Sequence, residues 1–366
     1  MNLENIKSAL ENCGVVGAGG GGFPAHLKLD HRAKTILVNC AECEPLLQVD
    51  QQLLASYPDE ILHALGILAE SLDASVVIAL KKSYTKAIQE LENRTAQNPR
   101  LRIALLDNIY PVGDEIVLIY EALGIAVPPA SLPIEVGCIV YNVETVHNMY
   151  HALVHNRPVT HKWVTIIGEV ENPITVNLPI GTTVAEAVSR AGKITTSNPV
   201  YLNGGPMMGS KSQPTDEITK TTNAIIVLPE HHSLVQKFPS ASINFKRALS
   251  ACCQCRTCTD MCPRNQLGHQ IEPHMIMRGL SAIDADSFYG VMYCSGCGVC
   301  EAIACPQSLA PRSIIKTFRT ELAKAGVRAE KCQAACISDT REGRLVNSNR
   351  LKIRLGLAKY DVPASI

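Results

Sequence analysis

The sequence carries no excess of either charge: Lys plus Arg and Asp plus Glu number 34 each in 366 residues. A balanced chain has no net field to draw in nucleic acid or an anionic membrane surface, so neither is expected as a partner. Long apolar runs are also missing. The longest, such as Val76–Leu80, are strand-sized and far short of the ~20 residues that cross a bilayer, which excludes a direct membrane span. A signal peptide is missing too, because Met1–Leu10 mixes Asn, Glu and Lys with single aliphatic residues in the pattern of an amphipathic helix. No grouping of general acid, base and nucleophile stands out, and no catalytic side chain is assigned. What remains is a cytoplasmic, soluble chain with 46% apolar and 19% charged residues, globular in composition. Its length suits about two to three domains.

Cysteine is abundant and unevenly placed. Of fifteen, nine fall between Cys252 and Cys305. A reducing compartment keeps thiols free, so a disulfide framework is excluded and clustered cysteines argue for metal. The first run is C-x2-C-x2-C-x3-C-P, at Cys252, Cys255, Cys258, Cys262 and Pro263, the spacing of bacterial ferredoxins. The second is Cys294, Cys297, Cys300, Cys305 and Pro306, with four residues in its last gap. That extra residue is expected as a one-residue bulge in the ligand loop. In two-cluster ferredoxins the fourth Cys of each run ligates the other cluster. On that pattern Cys252, Cys255, Cys258 and Cys305 hold one [4Fe–4S] cluster, and Cys294, Cys297, Cys300 and Cys262 the other. Two structural zinc sites are the alternative, since C-x2-C pairs permit them. An evenly spaced triplet closed by Cys-Pro favours iron–sulfur. Cys253 adjoins a ligand in the wrong register and is read as a spectator.

The remaining chain alternates strand and helix. Strands are expected at Thr35–Asn39, Ser75–Leu80 and Leu101–Leu106, and helices at Leu46–Ser56, Asp59–Leu72, Tyr84–Arg94, Glu115–Leu123 and Glu144–Val154. Strands separated by helices of this length imply a parallel sheet in an α/β domain. Beyond Trp163 the texture changes to strands at Val164–Val170, Thr175–Leu178 and Val200–Leu202 around a short helix, Thr183–Arg190. This predicts a small α+β unit of β-grasp type. Pro229–Phe245 reads as a linker, Pro273–Leu280 and Ser313–Ala325 as helices of the cysteine segment, and the basic tail as a solvated face. The expected domains are residues 1–158, α/β; 159–228, β-grasp; 229–326, helical and ferredoxin-like; and 327–366, a tail.

The other informative stretch is Gly17–Ala18–Gly19–Gly20–Gly21–Gly22–Phe23–Pro24. Glycine lets backbone amides approach a phosphate or a flavin ring closely. G-x-G-x-x-G is satisfied, but so many glycines satisfy almost any glycine pattern, and no buried strand precedes them. A flexible structural loop is the plain alternative.

The segment Gly17–Lys28 resembles the flavin loop of the NADH-oxidising flavoprotein subunit of respiratory complex I. It is more similar still to the C subunit of the Rnf complex and to the cobalamin reductases of propanediol-utilisation microcompartments. Asn39-Cys40-Ala41-Glu42-Cys43-Glu44-Pro45, Gly113-Asp114-Glu115 and Asn142-Val143-Glu144-Thr145 match further family motifs, and Trp163–Gly209 resembles the family's soluble-ligand-binding β-grasp (SLBB) domain. The resemblance implies an FMN- and NADH-binding domain, then an SLBB domain, then a two-cluster domain. Carried over, Gly17, Gly19, Gly20 and Gly22 would pack against FMN, and Lys28 and Asn39 would contact its phosphate, ribityl or ring edge. Phe23 would stack on NADH, while Glu42, Glu44 and Glu115 would bind nucleotide hydroxyls. Asn142 and Thr145 would bind the flavin phosphate. Ala18 stands where the complex I subunit has Arg, and Tyr141 where it has the first Asn of N-N-V-E-T, so FMN is expected to bind weakly. Cys40 and Cys43 are read as packed thiols rather than a redox pair.

NADH delivers two electrons as hydride, a flavin takes both, and clusters accept them singly. The four-residue cysteine gap, Cys305–Arg312 and the tail pattern Arg354–Asp361 resemble the microcompartment reductases. They imply a corrinoid acceptor, a microcompartment location, and adenosyltransferase and shell proteins as partners. The Rnf-type C subunit and a non-enzymatic electron-transfer adaptor are the alternatives. Relatives tend to carry a further biotinyl-like domain, and the sequence stops at Ile366, as a short form or a piece of a longer protein would.

Overall fold

The computed structural model describes residues 1–96, 98–237, 241–282, 288–332 and 336–366. Parts of the expected linker (238–240) and tail (333–335) lie outside the described residues. The first module runs α1 (Leu3–Asn12), β1 (Thr35–Asn39), α2 (Val49–Ser56), α3 (Pro58–Leu72), β2 (Ser75–Lys81), α4 (Thr85–Thr95), β3 (Leu101–Leu106), the two-residue β4 (Ile109–Tyr110), α5 (Glu115–Leu123), β5 (Cys138–Asn142) and α6 (Val143–His155). Its four-stranded sheet has the order β3-β2-β1-β5, with every neighbouring pair parallel. The strands are apolar on both faces because both are covered. Ile36, Val38, Ile78 and Leu80 pack towards α1, α3 and α6, whereas Leu37, Val77 and Ala79 pack towards α5. β5 was not expected from the sequence. Its Cys-Ile-Val-Tyr run is too short to identify by periodicity alone.

This topology creates a binding edge. From β1 the chain steps outward through β2 to β3, then crosses back so that β5 lies on the other side of β1. Asn39 and Asn142 are register partners at the C-terminal ends of β1 and β5. The crevice outside such a reversal is where open parallel sheets bind ligands.

The second module is a five-stranded sheet, β7-β6-β10-β8-β9, built from β6 (His161–Gly168), β7 (Ile174–Pro179), α7 (Val184–Ser189), β8 (Pro199–Asn203), β9 (Ser210–Ser212) and β10 (Ala224–Pro229). Thr183 caps α7 in a reciprocal pair with Glu186. The mixed sheet with one helix is the expected β-grasp-like unit. Pro229 closes β10, Leu234 and Val235 are buried, and a helix begins at Ala241. The expected linker is therefore largely structured, because its aliphatic residues enter a core.

The cysteine module contains helices Ala241–Ala251, Pro273–Ala282 and Pro311–Lys324 around Ile276, Met277, Val291, Ile314 and Ile315. Between Cys300 and Ala304 the chain makes a π-helical turn. The four-residue gap is thus absorbed as one extra residue in a helical turn rather than as a loop bulge.

The tail departs from the solvated face expected of it. β11 (Val346–Asn347) pairs antiparallel with β4, and the helix Ser348–Arg354 follows. Leu351, Leu355, Leu357 and Tyr360 are buried in a core shared with Leu46 and Leu47, with Ile167, Leu202 and Ile226 of the β-grasp sheet, and with Cys297 and Val299. Arg341 is buried against Glu121 and lies over the Tyr120 ring, 4.9 Å from its centroid. The tail binds the modules together through interleaved leucines; its charges are secondary.

Candidate functional site

Four segments from distant parts of the sequence enclose a cavity of about 330 Å³ at the switch point of the parallel sheet, within the range of small-molecule sites. The glycine loop forms one wall. It is a closed turn: Gly17 N–H donates to Phe23 O at 2.8 Å, Gly22 N–H to Gly17 O at 3.0 Å, and Val16 bridges Pro24. Gly20 and Gly22 take φ values of +106° and +64°, a region open to glycine at little cost. The loop is fixed from below by the Ala18 N–H, which donates to Thr145 Oγ1 at 2.9 Å. Phe23 is 50% exposed at the rim.

Of the residues expected at a flavin site, Gly17, Gly19, Phe23, Lys28, Asn39, Glu42, Glu44, Gly113, Asp114, Glu115, Asn142 and Thr145 all line this cavity. Gly20 and Gly22 belong to the loop but are not among the lining residues. Several are tied to their neighbours. Lys28 Nζ donates to Glu115 Oε1 at 2.8 Å and to Val140 O at 3.0 Å. Asn39 Nδ2 donates to Gly113 O at 2.9 Å, and its Oδ1 accepts from Ala41 N–H. Asn142 caps α6 by accepting from Glu144 N–H, and its Nδ2 donates to both Asp50 oxygens at 3.0 and 3.1 Å.

The Asn142–Thr145 motif thus has a job for each polar member. Asn142 starts the helix and Thr145 holds the glycine loop. Glu144 pairs with the buried Lys162 and accepts from Trp163 N–H at 3.1 Å, joining the β-grasp sheet to α6. Burial raises the Glu144 carboxyl, and Lys162 opposes that shift.

The acidic floor is unusual. Burial lifts Glu42 well above the ordinary carboxylate range, with Asp50 beside it adding to the shift. Burial likewise pushes Asp50 up to about 7 against the Asn142 hydrogen bond, and Glu44 up to about 7 against backbone donors at Met207 and Met208. Glu44 Oε2 accepts from Met207 N–H at 2.8 Å, while its Oε1 is buried without a partner. At Gly205 an added Cβ would lie 2.1 Å from Glu44 Oε2, so only glycine lets the β-grasp loop close onto this carboxylate.

Asp50, Met208, Asn223, Ser295 and Cys297 also line the cavity and were not singled out from the sequence as part of it. They arrive from α2, the β-grasp module and the second cysteine run, and only tertiary folding brings them here. No local pattern marks Asp50, Met208, Asn223 or Ser295, and the cysteine run marks Cys297 only as a cluster ligand.

The cysteines sort into two groups. Cys252, Cys255, Cys258 and Cys305 share one hollow. Burial, then the neighbouring Cys305, Cys255 and Cys252, push the Cys258 thiol up to about 12. Cys294, Cys297 and Cys262 likewise act on Cys300, behind burial and Glu301. All eight are free thiols. Thiols gathered in fours suit a metal centre, whose positive charge offsets the cost of ionising buried members such as Cys258 and Cys300. Cys253 is exposed. Cys40 and Cys43 are packed, the former fully buried and the latter with its sulfur 2.7 Å from Gly113 N.

The cavity also passes a test of fit for a flavin. At Gly113 a Cβ would meet Ala41 O at 2.5 Å and Cys43 Sγ at 2.9 Å, and at Gly19 it would meet the Asn142 side chain at 3.3 Å. A side chain at either position would collide with the cavity's own walls, so glycine keeps the backbone in place there, and a buried acceptor, Glu44 Oε1, has no partner among the described residues.

Three family models match in succession: the Nuo51 FMN-binding domain over residues 10–151, the SLBB domain over 163–211 and the 4Fe-4S dicluster domain over 251–310. Together with the cavity and the cysteine groups, they define an electron-transfer oxidoreductase built on flavin and iron–sulfur. The cobalamin reductase PduS of Citrobacter freundii is 39% identical over 98% of this chain and 80% of its own length. The chain belongs to the PduS family of that wider superfamily. A component of the Na(+)-translocating ferredoxin:NAD(+) oxidoreductase complex of Acetobacterium woodii is 29% identical over 72% of this chain and 58% of its own. An NAD+-reducing [NiFe]-hydrogenase chain shares the fold, with a TM-score of 0.58 and 19% identity over 87% of this chain and 61% of that one. No helix among the described residues is long and apolar enough to cross a membrane.

Proposed function

We propose that the chain takes a hydride from NADH at the glycine-loop cavity and passes the electrons singly through two [4Fe–4S] clusters to a corrinoid. The observation that carries this reading is one shared wall: Cys297 lines the same cavity as Gly17, Gly19 and Phe23. When bound, FMN accepts two electrons together and releases them one at a time to iron–sulfur centres. The glycine-loop amides and Lys28 supply the donor-rich side of the cavity for phosphate, held in place by Thr145 and Asn142. Asn39 and Gly113–Asp114, tied by the Asn39 Nδ2 to Gly113 O hydrogen bond, shape a turn in the cavity wall that would contact the flavin. Phe23, exposed at the rim, offers a stacking face to the nicotinamide or adenine, and Glu42, Glu44 and Glu115 offer acceptors to ribose hydroxyls. Burial shifts the Glu42 and Asp50 carboxyls upward, which lessens the repulsion of an anionic ligand by the floor.

The four-and-four cysteine grouping supports ligation of one cluster by Cys252, Cys255, Cys258 and Cys305 and of the other by Cys262, Cys294, Cys297 and Cys300. The corrinoid acceptor is supported by the relatives, which are cobalamin reductases; a microcompartment setting, with adenosyltransferase and shell proteins as partners, is proposed with it on the resemblance of the second cysteine gap and the tail. Anaerobic protein reconstituted with FMN should show flavin bleaching and then cluster reduction on addition of NADH. Cluster bleaching by dithionite but never by NADH would refute the donor. Reduction of ferricyanide without reduction of cob(III)alamin or cob(II)alamin would assign a different acceptor.

A further inference from the structure

Away from the flavin cavity and the cysteine groups, a second set of ligand-type side chains converges. His147 and His151 stand four residues apart on α6, which puts both imidazoles on one helix face. Glu60, from α3, reaches them from the facing helix. Its Oε2 lies 2.8 Å from His147 Nε2 and 3.6 Å from His151 Nε2, and one ligand atom from each of the three residues lies within 4.8 Å of the others. The His147 side chain is 6% exposed, against 27% for His151 and 33% for Glu60. Tyr57 stacks on the His147 ring at 4.9 Å, and the His151 ring meets it edge-on at 4.7 Å. The rings are therefore held in place by packing before any ligand arrives.

A plain hydrogen bond from His147 to Glu60 accounts for one of these contacts. It does not account for the second imidazole, whose Nε2 points at the same carboxylate oxygen from 3.6 Å, beyond hydrogen-bond distance. Two imidazole nitrogens and a carboxylate oxygen from facing helices are a common donor set for a borderline divalent metal. The i, i+4 histidine pair is the helical spacing of zinc sites. Hard cations fit poorly, since Ca2+ takes 6–8 oxygen ligands. A cavity of about 370 Å³ adjoins the cluster, lined by His147, His151, Arg157, His161 and Trp163 among others. It leaves room beside the two imidazoles for a further ligand.

We propose that Glu60, His147 and His151 form a binding site for a divalent transition metal of the Zn2+ type, with its open position on that cavity. The site is independent of the flavin and the iron–sulfur clusters. Because α6 is capped by Asn142 and carries Thr145 in its first turn, a metal here clamps α3 to the helix that frames the flavin cavity.

The test uses the full chain with its clusters loaded, dialysed anaerobically against Zn2+ alone. About one zinc per chain should bind, and zinc-edge X-ray absorption should show only nitrogen and oxygen ligands. His151→Gln and Glu60→Gln should each weaken binding roughly tenfold or more, on the scale of lost ligand support, with iron and sulfide contents unchanged. His151 is the safer probe of the two histidines because it is less buried than His147. Substoichiometric zinc in the unsubstituted protein, sulfur in the zinc coordination sphere, or unchanged affinity in both variants would overturn the site.

Discussion

Arg264 donates from Nη2 to Asp114 Oδ2 at 2.9 Å, with the two side chains 16% and 12% exposed. Asp114 also caps α5 by accepting from Ile116 and Val117 N–H, and Arg264 follows Cys262–Pro263 directly. One ion pair therefore ties the first cysteine run to a turn of the flavin cavity.

Replacing Arg264 with Met leaves the Asp114 carboxylate enclosed with its cap bonds but no cation. The expected loss is about 2–4 kcal/mol, between the values for exposed and fully buried pairs. In stopped-flow measurements with NADH, flavin bleaching should persist while cluster bleaching slows, because the substitution loosens docking rather than the nucleotide site. Equal slowing of both phases would place the defect in the flavin module.

Two glycines separate close approach from mere flexibility. At Gly113 an alanine Cβ would lie 2.5 Å from Ala41 O, whereas at Gly21 nothing lies within 4 Å and no positive φ is required. Gly113→Ala should cost about 1–3 kcal/mol through overpacking and weaken FMN binding at least tenfold in a fluorescence titration. Gly21→Ala, whose Cβ meets no protein atom, should leave stability nearly unchanged. Comparable losses at the two positions would contradict the backbone-approach account.

Glu44 gives a pH dependence of defined sign. Its carboxyl is raised from 4.5 to about 7, chiefly by burial. Between those values the folded chain holds a proton that the unfolded chain has released. Stability therefore falls as pH rises through that window, by on the order of a few kcal/mol for one such group. Glu44→Gln keeps an acceptor for Met207 N–H and removes the titration. Thermal midpoints measured from about pH 5 to 8 should show the variant gaining on the parent as pH rises. Asp50, also raised to about 7, contributes equally to both curves and cancels in their difference.

The parallel sheet is legible in the sequence because β1, β2 and β3 are apolar runs separated by helices with clear periodicity. The glycine loop and the two cysteine runs are legible because their chemistry is local. β10 is not, although Ala224–Pro229 is buried throughout, because a continuous apolar run carries no period of its own. Asp50, Met208 and Asn223 are hidden for a different reason. Each is an ordinary residue locally and becomes part of the cavity only through the packing of α2 and the β-grasp module on β1 and β5.

The tail misleads in sequence because its charges are more visible than its leucines. Leu351 is fully buried, and Leu355, Leu357 and Tyr360 pack in the same core. Leu351→Ala should cost about 2–5 kcal/mol. Arg350→Ala, at an exposed position of the same helix, should change stability by less than about 0.5 kcal/mol. Thermal or chemical unfolding of the two variants decides between a structural strap and a solvated segment.

The crossed cysteine grouping makes the last prediction asymmetric. Cys297 lines the glycine-loop cavity, so under the proposed function the cluster it ligates is the one that would receive electrons from the flavin. On the proposed ligation Cys262 belongs to that cluster, and Cys305, although in the second run, belongs to the other. Cys262→Ser and Cys305→Ser should each lower iron and sulfide from about eight to about four per chain, the loss of one cubane. Their kinetics should nevertheless differ. With Cys305→Ser, NADH should still reduce the remaining cluster, because it borders the flavin. With Cys262→Ser, dithionite should reduce the surviving cluster while NADH reduces it slowly or not at all. Uncrossed ligation predicts the reverse assignment, so anaerobic reduction of the two variants by the two donors distinguishes the arrangements.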